Sequence, residues 1–182
     1  PRHPPSSHPK SLSPPRTSPP SPPPRRQPAD RTAIPHRASA QTPLASSLSY
    51  GINVNLGTNA GAITNNLIAN IRTTGAIHGF IGINSTAGTA TATTINNNTI
   101  KSINIAGTGA SPFTGISIST GQYQVGTGGA NIIGDLSTAN SIDVAGTGIT
   151  YGIYSGATAV SDISNNKIAN IIARGTGTGV YM

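Results

Sequence analysis

The sequence predicts an all-β chain built as a parallel β-helix, or β-solenoid, of about four to five coils over residues 50–182, preceded by a disordered Pro/Ser/Arg-rich tail over residues 1–49. Three observations carry that expectation. Composition changes abruptly near Ser49, a unit of roughly thirty residues then recurs, and its recurring apolar positions are branched aliphatics set among Gly, Thr and Asn. Such residues favour strands and turns over helices.

The tail holds fourteen of the fifteen prolines, seven of the eleven basic residues and a single acid, Asp30. Each Pro removes an amide donor and fixes one backbone angle, so "PPRTSPPSPPPRR" from Pro14 to Arg26 is expected to be an extended polyproline II coil. Pro20 and Pro23 followed by Arg25 match a PxxPxR docking pattern, and the arginines are suited to phosphates. A disordered linker is the simpler reading, because the segment has too little apolar content to form a core. The +7 net charge is mostly here: the tail carries +6 and the repeat region +1. A nucleic-acid partner is therefore not expected of the folded part.

The repeat consists of two alternating boxes. The first is a Gly-Ile box, "YGINV" at Tyr50, "IGINS" at Ile81, "TGISI" at Thr114, "YGIYS" at Tyr151 and "TGVYM" at Thr178. Its glycines, Gly51, Gly82, Gly115, Gly152 and Gly179, are spaced by 31, 33, 37 and 27. The second box reads "ITNNLIANI" from Ile63, "INNNTIKSI" from Ile95 and "ISNNKIANI" from Ile163, with a looser copy, "IGDLSTANSI", from Ile133 to Ile142.

Alternation along "GINVN" and "GISIS" predicts strands. Three positions of the second box are apolar in every good copy: Ile63, Ile68 and Ile71; Ile95, Ile100 and Ile103; Ile163, Ile168 and Ile171. On a helical wheel they would span an arc of about 140°, so composition and short length, rather than periodicity, exclude the helical repeat. In stacked coils about 4.8 Å apart these residues become aliphatic columns. Leu67 is replaced by Lys167, which points that position to solvent, and Lys101 is expected to face outward beside inward Ile100.

The Asn pairs suit corners, since Asn tolerates left-handed backbone and bonds locally. Asn66, Asn98 and Asn166 are expected to link amide to amide from coil to coil. Asp135 and Leu136 stand where the looser copy should continue that ladder. The segments Ser85–Thr94 and Gly121–Asn131 carry length differences and are expected to be loops.

The combination of "xGIxI" strands, "ISNNxIxNI" boxes and "NIIGDLSTANSI" resembles the right-handed parallel β-helix repeats of large secreted or outer-surface bacterial proteins, particularly adhesin-like proteins of the Bacteroidetes type. The resemblance covers residues 50–182. It implies a segment of an extracellular or cell-surface rod, with cell-surface glycans or other surface molecules as partners and neighbouring coils of a longer parent chain on either side. The start at Pro1 and the stop at Met182, inside an expected strand, fit a piece of a longer protein.

No catalytic, cofactor-binding or metal-ligating residue is assigned, and no enzymatic activity is expected. A glycosidase needs two carboxyl groups across a sugar, and the repeat offers Asp135, Asp143 and Asp162. A lyase needs carboxylates for calcium and a basic residue as proton acceptor. Arg72, Lys101, Lys167 and Arg174 read instead as a solvated outer face. His78 has no second histidine in the repeat, and the absence of Cys removes thiolate chemistry and Cys-based zinc sites. The "GTG" phrases lack the Lys-Ser/Thr and helix of a phosphate loop. No apolar run is long enough for a membrane helix. Thr89–Thr94 has no matching Thr positions in the other coils, as an ordered ice-binding face requires. The alternative function is a carbohydrate-active β-helix, a lyase or hydrolase, whose catalytic coils lie outside this sequence.

Overall fold

The computed structural model describes residues 47–88, 90–175 and 179–181. They form an all-β parallel solenoid of about four turns, with no helix among the described residues. They belong to the second of the chain's two units, 37–182; the first, 1–36, lies outside the described residues, as does the Pro20–Pro23–Arg25 pattern.

The first coil contains β1 (Ser47–Asn55), β2 (Ala62–Thr64) and β3 (Leu67–Thr73). The second contains β4 (His78–Thr86), β5 (Thr93–Asn96) and β6 (Thr99–Ile105). In the third, β7 (Phe113–Ser119) and β8 (Tyr123–Val125) are followed by a split strand, β9 (Ile132–Ile133) and β10 (Ile142–Val144). The fourth repeats that split, with β11 (Thr150–Gly156), β12 (Asp162–Ile163), β13 (Lys167–Ile168) and β14 (Ile171–Ala173). A further strand, β15 (Val180–Tyr181), pairs onto β11.

Strands stack into three parallel sheets: β1-β4-β7-β11-β15, β2-β5-β8-β12, and a third in which β3 pairs β6, β6 pairs both β9 and β10, and these continue to β13 and β14. The register aligns Ile68, Ile100, Ile133 and Ile168 in one column, and Ile71, Ile103, Ile142 and Ile171 in another. A third column runs Ile63, Ile95, Val125 and Ile163; a fourth, from the first sheet, runs Ile52, Ile83, Ile116 and Ile153. Burial of these stacked aliphatics, with Phe80 on Phe113, supplies the core that so little aromatic content had to provide. Leu67 and Lys167 are exposed, as their exchange in the sequence indicates.

The Gly-Ile box has a structural cause beyond strand alternation. The register steps over the glycine, and both Gly82 and Ile83 are buried. A Cβ on Gly115 would lie 2.5 Å from the Gly152 carbonyl oxygen of the next coil and 2.7 Å from Cγ2 of Ile133 across the core. Gly82 meets the Gly115 oxygen and Ile100 in the same way. Gly51, Gly82, Gly115 and Gly152 thus let the first sheet approach the isoleucine of the third sheet in their own coils, which ties the two sequence boxes together. Gly115→Ala is expected to destabilise the array by about 1–3 kcal/mol through overpacking. A denaturant midpoint equal to that of the parent chain would show that the two sheets do not touch at this level.

The paired asparagines divide the corner between them. The first of each pair, Asn65, Asn97 and Asn165, adopts left-handed backbone with φ of 59, 57 and 59°. The second supplies the ladder: Asn66 Nδ2 donates to Asn98 Oδ1 at 2.9 Å, Asn98 Nδ2 to Asn131 Oδ1 at 2.9 Å, and Asn131 Nδ2 to Asn166 Oδ1 at 2.8 Å.

Asn131 corrects the expectation that Asp135 and Leu136 interrupt this ladder. Ile133 pairs with Ile100, not with Ile95, so it is the middle apolar position of its box rather than the first. Val125 takes the first position, and Ile142 the last. The coil keeps its columns by bulging at two corners, Gly126–Ala130 before the ladder and Gly134–Ser141 after Ile133. Consequently Gly121–Asn131 is not one loop: Tyr123 and Val125 are fully buried in β8, and the Tyr123 hydroxyl donates to the Ser85 carbonyl at 2.8 Å. Burial pushes that phenol's pKa above its ordinary value. Likewise Ser85 and Thr86 end β4, while Thr93 and Thr94 begin β5, which narrows the expected Ser85–Thr94 loop. The last Gly-Ile box is also out of step. Tyr181, not Thr178, pairs with Tyr151, and the pairing sets one tyrosine on another.

Candidate functional site

The solenoid segregates its chemistry by face. All four basic residues of the repeat lie on or beside the third sheet: Arg72 on β3, Lys101 on β6, Lys167 on β13, and Arg174 immediately after β14. Asp143 lies on β10 of that sheet and Asp135 opens its corner insertion, while Asp162 is on β12.

Two of these carboxylates are held by neighbouring coils. Lys101 Nζ donates to Asp135 Oδ2 at 3.2 Å, from the second coil to the third. Arg174 of the fourth coil grips Asp143 with both ends of its fork, Nε to Oδ1 at 2.7 Å and the second nitrogen to Oδ2 at 3.0 Å. Arg72 and Lys167 stay exposed. Lys101 and Arg174 also face solvent, with side chains 37 and 48% exposed, so all four cations lie on a solvated face, and these two in addition staple coils.

Asp135 also organises its own insertion. Its Oδ1 accepts from the Ser137 amide at 2.9 Å, the Ser137 hydroxyl at 2.8 Å and the Thr138 amide at 3.2 Å, and Asn170 Nδ2 donates to its carbonyl. The Ser137 amide, then the Ser137 hydroxyl and Lys101, hold this carboxyl well below the usual carboxylate range. A depressed folded value stabilises the native state fully above the unfolded value, about 3.9, and the contribution fades as pH falls below it. Asp135→Asn is therefore expected to flatten the stability curve between about pH 4 and pH 2. An acid limb identical in both proteins, by thermal melts across that range, would show that the carboxylate is not bonded in the native state.

His78 is buried at the start of β4 and bonded through both ring nitrogens, Nδ1 to the Ser47 hydroxyl at 2.5 Å and Nε2 to the Ser49 hydroxyl at 2.8 Å. Its backbone amide donates to Ser111 Oγ at 3.0 Å, so this residue joins three coils. Among the described residues no three His, Cys, Asp or Glu side chains gather closely enough to hold a metal, and no helix is long and apolar enough to cross a membrane.

The first sheet is different. Its strands contain no Asp, Glu, Lys or Arg, and its single histidine is buried. One outward column runs Tyr50, Ile81, Thr114, Tyr151 and Tyr181; the next runs Asn53, Asn84, Ser117 and Tyr154. The Tyr151 ring lies 5.2 Å from that of Tyr154, tilted by 55°, and 5.3 Å from that of Tyr181, tilted by 33°. Tyr154 and Tyr181 remain 45 and 57% exposed. Two coils earlier in the second of these columns Asn84 Nδ2 donates to Asn53 Oδ1 at 2.9 Å.

This tyrosine cluster was not singled out from the sequence. The available signal was that four of the five tyrosines fall in Gly-Ile boxes: Tyr50, Tyr151, Tyr154 and Tyr181. Compared with known proteins, the chain matches no family model, no curated protein and no solved structure.

Proposed function

We propose that this chain is a non-enzymatic, adhesin-like segment of a secreted or cell-surface repeat protein, a rod that holds a binding surface away from its anchorage. The observation that carries the reading is the use made of the two third-coil carboxylates. Asp135 and Asp143 each bond a cation of an adjacent coil, so they act as links along the rod. Coil-to-coil contacts of this kind suit a stack whose stability is a sum of repeats and their interfaces. The bacterial, extracellular setting and the surface-glycan partners are supported by the repeat resemblance.

The test is direct incubation of the full chain with neutral and acidic polysaccharides, followed by assay for new reducing ends and for unsaturated sugar products. No turnover above a heat-treated control is expected, and Asp135→Asn and Asp143→Asn should lower melting temperature only. Product formation abolished by either substitution would instead favour the carbohydrate-active reading.

A further inference from the structure

We infer that the outward face of the first sheet, at Tyr151, Tyr154 and Tyr181, is a binding platform for a neutral glycan. The inference deepens the proposed surface role and rests on it, since it names the face and the ligand class through which the rod makes contact.

Three features of the face select the ligand. Its tyrosine rings are contiguous, with centroid separations of 5.2 and 5.3 Å, and inclined to one another, so they offer a faceted apolar surface rather than one flat plane. The C–H faces of pyranose rings carry partial positive charge that meets the negative face of an aromatic ring, and successive sugars in a chain are themselves rotated. Second, polar groups of both senses share the face: the phenol hydroxyls at the rings, and the Asn84 and Asn53 amides two and three coils away in the Tyr154 column. Aromatic surface with a few hydrogen-bonding groups is the usual make-up of a site for a small polar ligand. Third, among the described residues the face carries no formal charge, while every basic residue of the repeat is on or beside the third sheet. Nucleic-acid bases also stack on aromatic rings, but that binding needs cations along the phosphates, and acidic glycans need them equally. A neutral polyol is the ligand chemistry that remains.

A purely structural explanation covers only part of the cluster. Tyr151 and Tyr181 are partners across adjacent strands, an arrangement that stabilises a sheet by itself. Tyr154 has Ser117 as its strand partner and contributes no aromatic contact between coils. Its ring is half-exposed beside that of Tyr151.

The experiment titrates the full chain with three neutral hexasaccharides, chitohexaose, cellohexaose and laminarihexaose, and with a heparin hexasaccharide as the acidic control. Saturation-transfer NMR and intrinsic tyrosine fluorescence, which the absence of Trp leaves unobscured, are the readouts. Saturable binding of at least one neutral hexaose in the millimolar range or tighter is expected. Tyr154→Ala and Tyr181→Ala should each weaken it about tenfold, and Tyr154→Phe should retain most of it. The melting temperature of Tyr154→Ala should fall only by the few degrees that loss of one aromatic contact allows, so the chain stays folded in the assay. Failure of all three neutral sugars to bind, binding unchanged in both alanine variants, or binding confined to the heparin fragment overturns the platform. Cleavage of a bound hexaose would leave the platform standing and overturn the non-enzymatic reading, so the two failures are distinguishable.

Discussion

Ile100→Asp is expected to leave no cooperative unfolding transition and no parallel-sheet signature by far-UV circular dichroism. Ile100 is fully buried in the third sheet, between Ile68 and Ile133 in its column and against the Gly82 face of the first sheet. Loss of the aliphatic side chain alone costs about 2–5 kcal/mol. An unpaired carboxylate in that column adds several more, and the combined effect approaches the whole stability of an ordinary domain, about 5–15 kcal/mol. Lys101→Asp, one residue away, is the control. Lys101 points outward, but it holds Asp135, so the exchange should lower the melting temperature slightly through like-charge repulsion rather than have no effect. Equal losses in the two variants would mean that the facing of β6 is inverted.

Asn98→Ala is expected to cost about 3 kcal/mol, more than an alanine replacement at Asn66, the first rung. Asn98 is fully buried, and its amide group meets several partners at once. Its Oδ1 accepts from the Asn66 amide and from Asn66 Nδ2; its Nδ2 donates to Asn131 Oδ1 and to the Ile63 and Asn96 carbonyls. Truncation leaves those buried groups with no replacement, whereas Asn66 has a single rung beyond it. Urea unfolding at fixed pH measures both, and a cost for Asn98→Ala no greater than for Asn66→Ala would show that the ladder is not cooperative.

Where spacing was regular, the sequence was sufficient to read both fold and facing. Ile63, Ile68 and Ile71 recur at fixed intervals in the second and fourth boxes, and all stack as expected. The third coil was misread because register in a solenoid is kept in space, not along the chain. Ile68 and Ile71 are three residues apart, while their counterparts Ile133 and Ile142 are nine apart, yet the columns stay aligned. Added loop length at a corner costs little free energy, so spacing there is weakly constrained. The short pattern Asn-x-Ile, present at Asn66, Asn98, Asn131 and Asn166, survives the insertions because it spans no corner bulge.

The tyrosine platform was illegible for another reason. Its members come from two Gly-Ile boxes whose register differs by three residues from the one their glycines suggest. Only the backbone pairing sets Tyr181 beside Tyr151. The segregation of charge, by contrast, was legible: Arg72, Lys101, Lys167 and Arg174 all fall in or just after copies of the second box, and the latter halves of those copies build one sheet.

In every link of the asparagine ladder the earlier coil donates and the later coil accepts. The amides therefore point the same way along the axis, and each bond polarises the next. Such a column is polar: it begins with the Asn66 donor and ends on the Asn166 acceptor, so its two ends are not interchangeable.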